Sequence, residues 1–365
     1  MGVPFPYLRN FREAAGLACL APSITPIHCS MELLLTGSTG FVGRNLLLRL
    51  ASDPSWSQII LPVRDPGKLR SQLEGEGIAD DGRLVICRVS GDFWELPRDV
   101  SPEIVIHAAG LLFGRRKEDY FGTNVEGSLR LVSQLPRTAR VIVLSSLAAG
   151  GPTPHDAEAR GIHHEDRPVS LYGASKLTME KELRNRLGRR LLILRPPMVL
   201  GPRDAATLPL FNMAAGPIRI KPGFAPKHYS WIDVGDLCSA ILAAAKDAIP
   251  DWRQHGPFYL GSEQLITDSE LIETAAGAIN ARGVTLSVPQ AAIRLASLVI
   301  DAVPAWRAAA PSLGRDRVRE ILPSRWVSDG RPFAEHFGWC HRRTLAETLA
   351  ETAAWLKGQG KLRQG

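Results

Sequence analysis

Cysteine is scarce and never clustered: five among 365 residues, at positions 19, 29, 87, 238 and 340, with no C-x-x-C pair. Such spacing fits a reducing cytoplasm and gives no disulfide framework. The nine histidines lack metal-ligand spacing, so no metal is expected. No uninterrupted apolar run is long enough for a bilayer, which argues against an integral membrane segment. Internal repeats and low-complexity tracts are missing as well. The net charge is +7, yet the arginines are scattered rather than massed. Their tightest groups are Arg115-Arg116-Lys117 and Arg184 to Arg190, and the second lies late in an expected helix, where cations suit the dipole. Solvated surface is therefore preferred to a nucleic-acid partner. What remains is an ordinary globular composition, 45% apolar and 22% charged, long enough for one large domain and a smaller lobe.

Residues 1–30 show little periodicity. Arg9 and Arg12 ahead of Ala14 to Leu20 faintly imitate a signal peptide, but the apolar stretch is short and Glu13 precedes it. A poorly ordered extension is expected, with Met31 as an alternative start. From residue 31 strands and helices alternate, the pattern of an α/β fold with a doubly wound parallel sheet. Strands are expected at 33–35, 59–63, 84–89, 104–107, 141–144 and 191–194, and helices at 44–51, 124–134 and 171–187. A strand at 231–233 and a helix at 236–245 are expected to return to that sheet. The division is thus a nucleotide-binding domain over 31–200, with 229–247 returning to it, and a smaller, mostly helical substrate lobe over 201–365. Within the lobe, 290–303 has amphipathic helical spacing; it is read as lobe packing in preference to a membrane-surface element.

The chain is organised around Leu33-Leu34-Leu35-Thr36-Gly37-Ser38-Thr39-Gly40-Phe41-Val42-Gly43, an apolar strand, a glycine turn and the start of a helix. In that context the glycines mean dinucleotide binding. Gly37 permits the tight turn, Gly40 leaves room for the pyrophosphate, and Gly43 lets the helix pack closely. Phe41 and Val42 open the helix whose N-terminus faces the phosphates. After the second strand comes Arg64, a donor suited to a 2′-phosphate, and then Asp65, which could serve a ribose instead; the pair favours NADP over NAD. Asp92, beside Phe93, follows the third strand where a carboxylate can accept from an adenine amine or serve simply as a turn residue. Ala108 and Ala109 end the fourth strand with the small side chains a cofactor needs nearby. Tyr172 and Lys176 share one helix face. A phenol works near neutrality only if a neighbouring ammonium favours its anion, and Ser146 stands at the same sheet edge, able to bind a substrate oxygen.

Together these residues resemble the extended short-chain dehydrogenase/reductases of the NAD-dependent epimerase/dehydratase superfamily. The resemblance spans about residues 31 to 355 and rests on Thr36-Gly37-x-x-Gly40-x-x-Gly43, Gly91-Asp92, His107-Ala108-Ala109, Asn124-Val125-x-Gly127, Ser145-Ser146, Tyr172-x-x-x-Lys176 and Arg195-Pro196. It implies a seven-stranded Rossmann sheet, Tyr172 as acid/base, Lys176 as its partner, Ser146 as the oxygen-binding hydroxyl, and Pro196 to Val199 bordering the nicotinamide. Ser145 to Pro152, with Val63 to Pro66, looks like the dihydroflavonol reductase and hydroxysteroid dehydrogenase side. Leu147-Ala148 stand where dehydratases of the family carry an Asp-Glu pair, and Tyr229 stands where nucleotide-sugar members carry an Arg, although Lys227 and His228 are close. The expectation is an NADP-dependent oxidoreductase interconverting a ketone and a secondary alcohol on an apolar small molecule. Leu111, Leu112, Phe113, Phe224, Tyr229 and Trp231 are candidates for the apolar wall. The alternatives are a nucleotide-sugar epimerase with tightly held NAD and a non-catalytic NAD(P)H-binding sensor or assembly subunit. A homodimer is implied by the resemblance alone.

Overall fold

A computed structural model describes residues 31–78, 82–89, 96–97, 100–247, 256–303 and 314–362. The expected N-terminal extension and the expected adenine contacts Asp92 and Phe93 lie outside the described residues.

The first strand, β1 (Met31–Thr36), leads through the glycine turn into α1 (Phe41–Ala51); β2 (Trp56–Val63), α2 (Pro66–Gly75), β3 (Leu84–Arg88) and β4 (Ile104–His107) follow. Next come α3 (Lys117–Phe121), a π-helical turn at Gly122–Glu126, α4 (Gly127–Val132), β5 (Arg140–Leu144), α5 (Leu147–Gly150), α6 (Leu171–Leu187) and β6 (Leu191–Arg195). Leu33, Leu34 and Leu35 are all fully buried, because alternate side chains enter opposite cores. Leu33 and Leu35 pack with Leu46, Leu47 and Leu50 of α1. Leu34 packs with Val105, Val141, Met179 and Leu183 on the α6 side. A strand covered on both faces has no place for a polar residue, so it reads as a continuous apolar run.

The central sheet has seven parallel strands in the order Phe258–Tyr259, β6, β5, β4, β1, β2, β3. The order reverses between β1 and β4, where Thr36 lies opposite His107. Ligands of open α/β sheets bind outside the strand C-termini at such a switch point.

The strand Trp231–Asp233 does not return to this sheet. It pairs with Met198–Leu200 in a separate two-stranded sheet. Pro196 and Pro197 supply no N–H after Arg195, so the chain leaves the ladder and restarts at Met198; Phe258–Tyr259 then takes the place beside Leu194 and Arg195. The helix Val234–Lys246 does return, burying Leu237, Ala240, Ile241 and Ala244 in the α1 core. So do Phe333 and Trp339, from the segment assigned to the lobe. Trp231 is fully buried in the lobe core with Phe211, Ala275 and Leu349, its indole N–H donating to the Gln264 carbonyl at 3.1 Å. It is core rather than substrate wall. The helix Gln290–Ala302 is formed as expected but turns Leu295, Leu298 and Val299 outward instead of packing them. No helix among the described residues is long and apolar enough to cross a membrane.

Candidate active site

The glycine turn is spatially obligatory at two positions. Gly37 has φ +72°, and a Cβ there would lie 2.7 Å from the Ala109 nitrogen; one on Gly43 would lie 2.1 Å from the Gly37 oxygen. Gly40, the N-cap of α1, provides no side-chain cap, and no acid occupies the first turn. The Ser38 hydroxyl beside it is buried without a partner. Unpaired donors at a helix start with no competing carboxylate fit a dinucleotide pyrophosphate. Phe41 and Val42 are half-buried against the sheet core, holding that turn in place.

Past β2 stand Arg64 and Asp65. Asp65 is the N-cap of α2, its carboxylate accepting from the Lys68 N–H at 3.0 Å. Arg64 is exposed at the strand end.

The end of β4 holds a buried relay. The Ala109 N–H donates to Thr36 Oγ1 at 3.1 Å, and Thr36 Oγ1 meets His107 Nδ1 at 2.7 Å. On the other side of the ring, His107 Nε2 meets Ser128 Oγ at 2.8 Å, and Ser128 donates to the Asn124 carbonyl at 2.6 Å. Because Ser128 spends its proton on Asn124, the imidazole must carry its own on Nε2 and accept from Thr36 at Nδ1. Asn124, in the π-turn, clamps Leu111 through both its N–H and its carbonyl, and donates to Ser175 of α6 at 2.9 Å. π-turns of this kind recur at functional sites. The relay thus ties β1, β4 and α6 together.

Burial pushes the His107 imidazole down to about 3 from 6.5, with the Lys176 charge acting the same way. Between those values the unfolded histidine holds a proton that the folded one refuses, so stability rises with pH across the window and is lost as pH falls through it. The urea midpoint is accordingly expected to drop as pH is lowered from about 6.5 toward 3. His107→Gln should flatten that limb while lowering the neutral-pH midpoint; an unchanged slope would show that other groups set it.

Tyr172 and Lys176 lie on α6 as expected, with Ser146 opposite. Ser170 caps the helix, accepting from the Gly173 N–H at 3.0 Å. Burial raises the Tyr172 phenol to about 12, while the neighbouring Ser146 hydroxyl pulls it the other way. Ser146 also accepts from the Ala148 N–H at 3.1 Å, which fixes its hydroxyl oxygen. Lys176 is buried and donates to the Leu144 carbonyl at 2.8 Å; burial lowers its ammonium to about 8, opposed by Glu180. A Cβ on Gly110 would come within 2.9 Å of Nζ, so the small residue keeps the lysine channel open. The ammonium is thus held by a strand carbonyl, on the same helix as the phenol.

Pro196 is buried and accepts from the Leu147 N–H at 2.9 Å, and Val199 is half-buried in the short ladder beside it. Leu112 and Phe113 are exposed, the Arg317 guanidinium 5.0 Å above the Phe113 ring. Two carboxylates near the site carry no local sequence signal. Asp316 accepts from the Leu171 N–H at 2.9 Å, and Glu320 accepts from Ser170, so the helix Arg315–Ile321 brings two carboxylates to the α6 N-terminus. Arg195, 2% exposed, holds Glu180 and Asp166 in paired hydrogen bonds and also donates to the Tyr259 hydroxyl.

Comparison with known proteins places this arrangement. The ceramide reductase of Caulobacter vibrioides is 28% identical over 340 residues, covering 90% of this chain and 95% of that protein. A ketoreductase of Aspergillus niger is 26% identical over 245 residues, 57% of this chain and 72% of the other. Among solved structures, the UDP-glucuronic acid 4-epimerase from Bacillus cereus in complex with UDP-glucuronic acid and NAD superposes with a TM-score of 0.69 at 15% identity, over 90% of this chain and 100% of that one. This last likeness is one of fold. The model of the NAD dependent epimerase/dehydratase family matches residues 33–252, and the chain belongs to that family.

Proposed function

We propose that the protein is an NADPH-dependent reductase of a ketone on an apolar substrate, able to oxidise the matching secondary alcohol. The carrying observation is the placement of Tyr172 and Lys176 on α6 beside Ser146, whose hydroxyl oxygen is fixed by a backbone N–H while Lys176 is buried at the end of β5. A bound nicotinamide would supply or take the hydride. Ser146 would hold the carbonyl oxygen, and Tyr172 would deliver the proton as charge develops there. Lys176 would hold the nicotinamide ribose from within the sheet edge. The glycine turn, with Gly37, Gly40 and Gly43, would take the pyrophosphate, and Ala108, Ala109, Pro196 and Val199 would pack around the ring.

Two observations support a reductase over a sugar-nucleotide enzyme. Lys227, one of the two basic groups close to the position where an arginine would grip a diphosphate, is buried, hydrogen-bonded to the Ile321 carbonyl and close to Asp268. Two of the relatives that align along much of their length, the ceramide reductase and the ketoreductase, are named as reductases. The ceramide reductase among them favours a lipid-like ketone, in keeping with exposed Leu112 and Phe113.

The test is to denature freshly purified protein and identify any released nucleotide. Empty protein that then binds NADPH more tightly than NADH supports the reductase; stoichiometric, non-exchanging NAD moves the epimerase to first place. Because Asp65 is engaged as a cap, Arg64→Ala is expected to weaken NADPH by about 10- to 100-fold, the worth of a charge-assisted hydrogen bond, with NADH nearly unchanged. Equal losses for both cofactors in a titration would remove Arg64 from 2′-phosphate recognition.

A further inference from the structure

Two neighbouring elements of the lobe are built inside out. The strands Ile218–Pro222 and Val284–Val288 form a parallel two-stranded ribbon. Its buried face carries Arg219 and Lys221; its outer face carries Ile218, Ile220, Val284 and Leu286, with Val284 60% exposed. The charges are anchored: Arg219 donates to the Ala214 and Ala281 carbonyls, and Lys221 to the Ala225 carbonyl, 3.3 Å from Asp268. A one-residue slip would bury the isoleucines and free the charges, and this bonding prevents it. Through Pro289 the chain continues into the helix Gln290–Ala302, where Ser297 is buried while Leu295 is 64% exposed and Leu298 and Val299 also face out. A helix packed on a water-soluble body turns its apolar stripe inward; this one does the reverse. Phe224, 72% exposed, adjoins both, since the Gly223 N–H bonds the Val288 carbonyl. Eight of the twelve large apolar side chains exposed among the described residues lie on 218–224 and 284–299, a concentration that marks an interaction face.

Charge indicates what covers it. On these elements, the turn leading into Val284–Val288 and the adjoining helix Arg315–Ile321, every exposed charged side chain is an arginine: Arg282, Arg294, Arg315 and Arg319. The acids of this face are partly buried and engaged, Asp301 with the Arg315 N–H, Asp316 with the Leu171 N–H and Glu320 with the Ser170 hydroxyl. Apolar side chains interleaved with arginines, without exposed acid, complement a lipid surface that presents acyl chains beneath anionic headgroups. We propose that this face docks the protein on a bilayer containing anionic lipid. The helix Arg315–Ile321 packs between the docking helix and the α6 N-terminus beside Tyr172, so a lipid-like ketone would pass from the bilayer toward the cleft. Docking rests on the surface alone; delivery of substrate rests on the reductase reading.

The experiment is flotation of the full chain with vesicles of phosphatidylcholine containing phosphatidylglycerol, against phosphatidylcholine alone, with NADPH binding measured on the same preparation. The wild type is expected to float with the anionic vesicles. Leu295→Asp with Leu298→Asp should cut the bound fraction at least about tenfold, as buried apolar area is replaced by charge repelled from the headgroups. Arg282→Glu with Arg294→Glu should lose the preference for phosphatidylglycerol, as should wild type in high salt. All four positions are exposed, so an unchanged urea midpoint and NADPH affinity will certify the fold. Wild type that floats with neither vesicle, or variants that float like wild type, would overturn the proposal. So would a wild-type dimer that Leu295→Asp dissociates, since a second copy would then cover the face. Floating protein that binds no NADPH would support docking and sink the reductase reading instead.

Discussion

Tyr172→Phe is expected to lower turnover by about 10²- to 10⁴-fold, the range for loss of a positioned general acid, while NADPH affinity stays within about twofold. The phenyl ring preserves the packing of α6, and Ser146 keeps its bond from the Ala148 N–H, so the change isolates the hydroxyl. The direction of the Tyr172 shift also sets a pH dependence. With the phenol raised to about 12 by burial, it stays protonated through neutrality. Reduction should therefore show no loss assignable to Tyr172 until strongly alkaline pH, whereas alcohol oxidation, which needs the anion, should accelerate as pH rises. Steady-state rates in both directions over a common pH series provide the check. If Tyr172→Phe retained most activity, or if reduction titrated near neutrality and the variant kept that titration, another group would be the proton donor. Ser146→Ala separates the two hydroxyls: it should reduce turnover while leaving the proton-linked pH profile in place.

The central sheet was legible because its inner strands had both faces covered and so read as blocks of Val, Ile and Leu, bounded by turns. The glycine turn was legible for the same local reason: backbone approach at Gly37 and Gly43 admits no Cβ. Tyr172, Lys176 and Ser146 are brought together because the switch point gathers strand ends and the α6 start at one edge. The misplaced strand at 231–233 had the correct local pattern; its partner was decided by Pro196-Pro197, a long-range consequence of a missing donor. The true seventh strand, Phe258–Tyr259, is two residues long and too brief for any periodicity to appear. Likewise the amphipathic spacing of 290–303 correctly gave a helix, but spacing alone does not say which stripe faces the protein. Arg195, Glu180, Asp166 and Tyr259 come from four separate stretches, and a network assembled only by tertiary folding leaves no local trace.

That network gives the largest expected stability effect. Arg195→Met should cost about 3–5 kcal/mol, the loss seen when one partner of a buried ion pair is removed. The cost arises at Glu180, which is almost fully buried and would keep a charge with the Ser145 hydroxyl as its hydrogen-bond partner and the Lys176 ammonium as its nearby positive charge. Asp166, 28% exposed, can turn to water and should contribute little. The double variant Arg195→Met with Glu180→Met removes both charges, and an apolar replacement of a buried pair is often close to neutral, so it should recover much of the loss. Urea unfolding of the single and double variants tests this directly: a single variant within about 1 kcal/mol of wild type, or a double variant that loses the full sum, would exclude a coupled pair. The position of the network makes stability and chemistry separable. Glu180 accepts from Ser145, which precedes Ser146, and Arg195 precedes Pro196, whose carbonyl accepts from Leu147. The pair thus clamps the ends of β5 and β6 on either side of the candidate serine. A double variant restored in stability but still poor in turnover would mark Arg195 as a positioning residue for Ser146; one restored in both would leave it a purely structural bond.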